Sequence, residues 1–399
     1  MSEAKFDKRE VPRTAWDRAP WNRWSFQHVS EVLPTVSIGR GTAPVRPLAR
    51  NTTDLEGLEV PVIGGSPVTL ERFLDETFTD GFLVLHHGAI ACERYLNGMT
   101  ADTLHLSQSV AKSFVGMLAG IVIARGVIAR GTRVADILPE LERTAYRGAT
   151  IGHLLDMTSG VRFAEDYTDP RSHMGQLDVA SGWKPVPDGE DPANWPANVF
   201  ELILALEERE AEDGERFAYR SIETDVLAFV LERATGKRLP QLISEEIWQK
   251  LGMERDANMT IDSAGYALAD GGLSACLRDY ARFGQTILEG GRGVIPADWI
   301  EATRSGDHTM FGAPYSAVLP EGAYRNQFWI EDPRNRSIMA RGVFGQLVYV
   351  SWEFEMVVVK LSSWPDFVNP AWTRATLAAV HRIGEALNRA RRALAAAGP

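Results

Sequence analysis

Only two cysteines, Cys92 and Cys276, occur among 399 residues. They are too few for a disulfide framework or for a zinc site built on thiolates. The eight histidines contain no His-x-x-x-His pair, and His86 and His87, if both lie in a strand, point to opposite faces. Metal catalysis is therefore not expected. No Gly-x-Ser-x-Gly string is present, which removes the strand–turn–helix serine elbow. Gly290-Gly-Arg-Gly293 follows a helical pattern and lacks Gly-Lys-Ser/Thr, so it reads as a turn and not as a phosphate cradle. Positive charge is scarce as well: 42 Lys and Arg stand against 53 Asp and Glu, a net charge of −11. Nucleic acid, which needs a basic face, is not an expected partner. The longest apolar stretch, residues 114–124, is broken by glycines and far too short to span a bilayer. Residues 1–13 alternate charges and hold no apolar export segment. The expectation is a cytoplasmic protein that needs no cofactor and binds no membrane.

What remains is a globular composition, with 45% hydrophobic and 24% charged residues. At ~150 residues per domain this length suggests two or three domains. Trp16, Trp21 and Trp24, three of 11 tryptophans, sit with Phe26 in an otherwise polar N-terminal arm. Exposed indoles are costly, so the arm should pack onto something. Residues 39–67 read as extended connection, residues 82–95 as a hairpin around a short glycine turn, and the apolar run over residues 110–128, broken by Gly126, as a buried helix. A Pro-, Gly-, Asp- and Trp-rich loop covers residues 163–198. Val226, Leu227, Val230 and Leu231 mark a helix stopped by Gly236, and Pro240 opens another that ends at Gly252. Residues 345–351 and 356–363 are β-rich, and an alanine-rich helix follows over 374–397. This order predicts an arm (1–50), a strand-bearing domain in two pieces (51–135 and 260–399), and a helical domain inserted between them (136–259).

The chemistry begins at Ser109-Val-Ala-Lys112, at the start of the buried helix. Residues three apart share a helix face, so the lysine can reach the hydroxyl. Burial lowers a lysine pKa, which would leave a neutral amine able to take the serine proton. The helix N-terminus adds backbone N–H groups where an oxyanion would form. Ser2-Glu-Ala-Lys5 and Ser181-Gly-Trp-Lys184 have the same spacing, but neither has an apolar helix behind it. Tyr219-Arg-Ser221, 110 residues beyond Ser109 and just before a helix, offers a phenol to protonate a leaving group. Tyr95-Leu-Asn97, Tyr324-Arg-Asn326 and Tyr349-Val-Ser351 look alike, so the short pattern needs its context.

Longer strings supply that context: Leu106-Ser-Gln-Ser-Val-Ala-Lys-Ser113, Thr150-Ile-Gly-His-Leu-Leu-Asp-Met-Thr-Ser-Gly160 and Gly271-Gly-Leu-Ser-Ala-Cys-Leu-Arg-Asp-Tyr-Ala-Arg-Phe-Gly284. With them the chain resembles the serine β-lactamase and penicillin-binding-protein superfamily, in its class C and esterase-like branch. Trp16-Asp-Arg-Ala-Pro-Trp-Asn-Arg-Trp24, Tyr219-Arg-Ser-Ile-Glu-Thr-Asp-Val-Leu227 and Val358-Val-Lys-Leu-Ser-Ser-Trp-Pro-Asp366 make it most similar to the 6-aminohexanoate-dimer hydrolases, the nylon-oligomer amidases. The resemblance implies an α/β (α+β) fold of the β-lactamase/DD-peptidase type, an antiparallel sheet flanked by helices with an all-helical domain beside it. It implies Ser109 as nucleophile, Lys112 as its activator and Tyr219 as proton donor. The backbone N–H groups of Ser109 and Val343 would form the oxyanion hole, and Tyr167 and Asp178 would recognise substrate.

Two departures bear on selectivity. Ala340-Arg-Gly342 aligns with the family's Lys-Thr-Gly, so the motif lysine is missing and recognition of a β-lactam carboxylate is in doubt. Asp270 stands where the nylon-oligomer enzymes carry asparagine, and Arg341 where they carry an aliphatic residue. Asp270 and Arg341 either bridge across the cleft wall or act in selectivity. Counting Asp178, Asp270 and Arg341 leaves the pocket near −1, which favours an amino-bearing substrate; a free Arg341 would reverse that preference. The expected partner is a small-molecule amide or ester, with a homodimer also allowed by the sequence. A carboxylesterase and a non-catalytic binding protein on the same fold remain as alternatives.

Overall fold

The computed structural model describes residues 10–62 and 65–397; Ser2-Glu-Ala-Lys5 and the first residues of the arm lie outside them. Eight strands form one sheet, in the order Ala323–Arg325, Phe328–Ile330, Ser337–Gly342, Gln346–Ser351, Met356–Ser362, Thr79–His86, Ala89–Tyr95 and Ala49–Arg50. Every pairing is antiparallel except the last. The two central strands are buried on both faces, and their side chains alternate between two cores. Leu83, Leu85, Val357 and Val359 join the larger core with Phe114 and Phe283. Phe82, Val84, Met356 and Val358 join a second core with Leu70, Phe73, Val380 and Ile383, beneath the helices Leu70–Glu76 and Pro370–Ala397.

Helix Val110–Ala124 runs through the larger core with 13 of its 15 residues buried, as a helix that is apolar all round must be. Gly116 and Gly120 are small for a steric reason. A Cβ on Gly116 would lie 2.2 Å from the Asn326 carbonyl oxygen, and one on Gly120 would lie 2.4 Å from the Trp299 ring. Helix Ile222–Thr235 packs against it; helices Ile151–Asp156 and Val199–Leu204 pack on Ile222–Thr235, and His173–Ala180 packs on Val199–Leu204. Gly236 ends helix Ile222–Thr235 in a left-handed cap, as expected.

A second, four-stranded sheet ties the arm to the segment before Ser109. Its order is Thr35–Ile38, Ala257–Thr260, Leu273–Ala275 and His105–Leu106. Trp16 is fully buried and donates from Nε1 to the Trp183 carbonyl at 2.8 Å. Phe26 packs edge-on to Phe344 at 5.2 Å, and its carbonyl accepts from the Leu106 N–H.

Two local expectations are corrected. The loop over residues 163–198 contains helix His173–Ala180, whose N-terminus is capped by Ser172 Oγ accepting from the Gly175 N–H at 3.0 Å. Its eight residues sit between Pro170 and Gly182, too short for a periodic signal to emerge. His87 is not in a strand; it occupies the hairpin turn with Gly88, both at positive φ (48° and 77°), where the right-handed strand twist demands it. Among the described residues no helix is long and apolar enough to cross a membrane.

Candidate active site

Ser109 immediately precedes helix Val110–Ala124, and its side chain makes no capping hydrogen bond there. The residue before it, Gln108, is held at φ 51°, and Phe344, just after Val343, at φ 61°. A non-glycine residue in the left-handed region is uncommon and costs of order 1–3 kcal/mol, a cost that is usually localised where a site demands it. Here the two strained residues flank the two backbone N–H groups expected to hold an oxyanion. Among the described residues, neither the Ser109 nor the Val343 N–H finds a protein acceptor in the surrounding turns.

The strand Ser337–Gly342 brings its end against the turn that carries Ser109. A Cβ on Gly342 would lie 2.5 Å from the Ser107 carbonyl oxygen, so only glycine permits this approach. Ser109, Tyr219, Arg341 and Val343 therefore share the wall of one cavity of about 390 Å³. That size is typical of a small-molecule site.

Lys112 is buried and its Nζ donates to Ser109 Oγ at 2.9 Å and to the Asp270 carbonyl at 2.6 Å. Asp270 Oδ2 is 3.4 Å away. Burial pushes the Lys112 pKa down, but Tyr219, Asp270, Glu165 and Asp225 outweigh it and the net shift is upward. The net direction is thus opposite to the lowering expected from burial alone, and it favours the ammonium. Burial also raises the Tyr219 phenol, with Lys112 and the Ser109 hydroxyl beside it pulling part of the way back. The ammonium lies 5.3 Å from the Tyr219 ring centroid.

Tyr167 reaches the same cavity, stacked on Phe367 at 5.2 Å. Its hydroxyl donates to Glu165 at 2.7 Å. Glu165 also accepts from the Ser221 N–H at 2.9 Å and from the Ser221 hydroxyl. The loop bearing Tyr167 is thereby fastened to the turn bearing Tyr219. Glu165 was not singled out in the sequence, although it stands two residues before Tyr167. Trp329, which stacks on Tyr219 at 5.3 Å, was missed because nothing local marks it.

Asp178, expected to recognise substrate, already has a partner within the chain. It lies beside a much smaller cleft behind Ser109 and pairs with Lys184 at 2.8 Å, and Lys184 reaches Asp17 at 3.0 Å. Burial raises Asp178 to about 6, against the pull of Lys184. The ammonium expected from a substrate is already supplied by the chain, so the count of −1 omitted a base. Nor do Asp270 and Arg341 bridge: Asp270 faces Lys112, and Arg341 lies over the Trp329 ring at 5.0 Å. His153 is structural, closing a reciprocal cap with Thr150.

A β-lactamase family model matches residues 70–381. The chain belongs to the β-lactamase family. It is 35% identical over 360 residues to the 6-aminohexanoate-dimer hydrolase of Paenarthrobacter ureafaciens, covering 88% of each chain. It is 30% identical over 161 residues to the esterase EstB of Burkholderia gladioli, 39% of this chain and 38% of that one. The solved structure of a Bacillus anthracis protein, assigned provisionally as a 6-aminohexanoate-dimer hydrolase, matches with a TM-score of 0.87 at 27% identity, over 97% of this chain and 99% of the other. As a serine hydrolase of the β-lactamase family, this chain has the helix-flanked sheet that its motifs implied, antiparallel but for the Ala49–Arg50 edge strand.

Proposed function

We propose that this hydrolase cleaves small amide bonds through an acyl-enzyme on Ser109, with ester cleavage as a side activity. The observation that carries the reading is the 2.9 Å contact between Lys112 Nζ and Ser109 Oγ at the wall of a cavity shared with Tyr219. Ser109 Oγ attacks the carbonyl carbon, and its proton passes to the Lys112–Tyr219 pair. That pair can accept only when it holds one proton fewer than at rest, whether the missing proton is the lysine's or the phenol's. The carbonyl oxygen becomes an oxyanion between the Ser109 and Val343 N–H groups. Tyr219 returns the proton to the leaving nitrogen as the C–N bond breaks. Water then attacks the acyl carbon along the same route, releasing the acid and restoring Ser109.

The amide is favoured over the ester because Tyr167 brings a second phenol to the cavity, which can help protonate a leaving amine once its hydroxyl turns from Glu165 to the substrate. The relative of 88% coverage is named for an amide substrate, and the shorter match for an esterase. A hydrolysis panel of p-nitrophenyl esters, 6-aminohexanoate linear dimer, short peptides and a chromogenic cephalosporin tests the reading. Turnover of amides by the wild type, lost in Ser109→Ala, is expected. Turnover of every substrate within tenfold of wild type in Ser109→Ala would remove the proposed nucleophile.

A further inference from the structure

The cavity beside Ser109 is lined by Arg341, whose guanidinium has no ion-pair partner among the described residues. Arg341 is the penultimate residue of strand Ser337–Gly342, paired in register with Leu347. Its guanidinium lies over Trp329, and burial lowers its pKa to about 10, with only Tyr219 pulling upward. The nearby carboxylates are committed elsewhere. Asp270 faces Lys112, Asp178 and Asp17 share Lys184, and Glu165 holds Ser221 and Tyr167. None of them forms an ion pair with Arg341 among the described residues.

Holding a partly buried guanidinium over an indole, without a carboxylate, recovers only part of the solvation it forfeits. The cost is recovered when a ligand brings the anion. Carboxylate is the natural match, because its two oxygens meet the planar fork of arginine in parallel. Much of the remaining wall is apolar, with Trp329, Val343, Leu347, Phe367, Val368 and Leu377 around the space. Such a wall selects an apolar body between the scissile bond and the charge.

We propose that Arg341 is the anion-recognising residue of this cleft, and that the preferred substrates are amides or esters bearing a free carboxylate on an apolar body. The proposal rests on Ser109 being the nucleophile. It reverses the amino-bearing preference that charge counting along the sequence suggests, because Lys184 and Lys112 neutralise the acids that produced it.

The test compares matched substrates. One set consists of mono-4-nitroanilides of adipic and suberic acids, each against its terminal carboxamide, with the 4-nitroanilide of 6-aminohexanoic acid as the cationic member. A second set places the carboxylate or carboxamide on the amine half. In one set or the other, kcat/KM should favour carboxylate over carboxamide by about tenfold or more. Arg341→Met should bring that ratio close to one, Arg341→Lys should restore part of it, and Arg341→Glu should turn preference toward the cationic member. A ratio unchanged in Arg341→Met overturns the proposal. So does a loss in kcat equal for all substrates with a displaced pH profile, which would mean that Arg341 acts through Tyr219. Should the Met variant fail to fold, inhibition of the wild type decides: hexanoate must compete more tightly than hexanamide, and equal inhibition refutes the proposal. Labelling of Ser109 by a fluorophosphonate separates the two failures, since an unlabelled wild type removes the nucleophile itself.

Discussion

Lys112 meets Asp270 twice, through the backbone carbonyl at 2.6 Å and the carboxylate at 3.4 Å, while holding Ser109 Oγ at 2.9 Å. The carboxylate favours the ammonium, and so opposes the proton loss that must precede attack. Activity is therefore expected to rise with pH as the Lys112–Tyr219 pair sheds a proton. Asp270→Asn removes one upward influence on Lys112, so the rising limb of kcat/KM should move to lower pH, by about one unit. Asp225 also favours the ammonium, while burial and Asp270 raise its own pKa. The double change Asp225→Asn/Asp270→Asn should therefore move the limb further. A limb that stays in place or moves upward in both variants would refute this account.

Tyr219→Phe should slow amides more than activated esters. p-Nitrophenolate departs without a proton, whereas an amine cannot, and general-acid help is worth about 10²–10⁴-fold. The measurement is the ratio of the two losses in kcat. Equal losses would assign Tyr219 to positioning Ser109 or Lys112 only.

Ser109 and Lys112 act as one unit, and their losses should not add. Each single alanine variant should lose most of the amidase activity, and the Ser109→Ala/Lys112→Ala double variant should be little worse than either. If the losses multiply in single-turnover kinetics, the two residues serve separate steps.

Gly116→Ala places a methyl against the Asn326 carbonyl, where both partners are backbone-bound and cannot yield cheaply. Overpacking costs about 1–3 kcal/mol, and the better helix propensity of alanine returns up to ~1. A lowered midpoint in urea denaturation with an unchanged slope is expected. A stability equal to wild type would mean that the helix shifts freely, together with Ser109 at its end.

The elements most legible in the sequence were those whose signal is local. Gly126 and Gly236 stop their helices in left-handed conformation, and the β-rich runs became the strands Gln346–Ser351 and Met356–Ser362. The Ser109–Lys112 pair was legible because three residues on a helix fix a distance by themselves. Features assembled from remote segments were hidden. The Lys112 charge depends on Asp225, Asp270, Tyr219 and Glu165, which come from three separate stretches of chain. Lys184 was read as a chance match in a Gly/Pro loop, yet it neutralises Asp178 across a six-residue gap and reaches Asp17 in the arm. Arg341 stood out only as a departure, and its isolation appeared once every neighbouring acid had been traced to another partner.

The arm ends well before residue 70, where the family match begins, yet it props both sides of the catalytic turn. Phe26 supports Leu106 through its carbonyl and Phe344 through its ring, and Trp16 holds Trp183. A shortened chain cut at the family boundary would keep Ser109, Lys112 and Tyr219 but release the clamp on the Ser107 and Val343 segments. Such a fragment should display the hallmark residues and little catalysis, so the working unit of this hydrolase is longer than its recognisable signature.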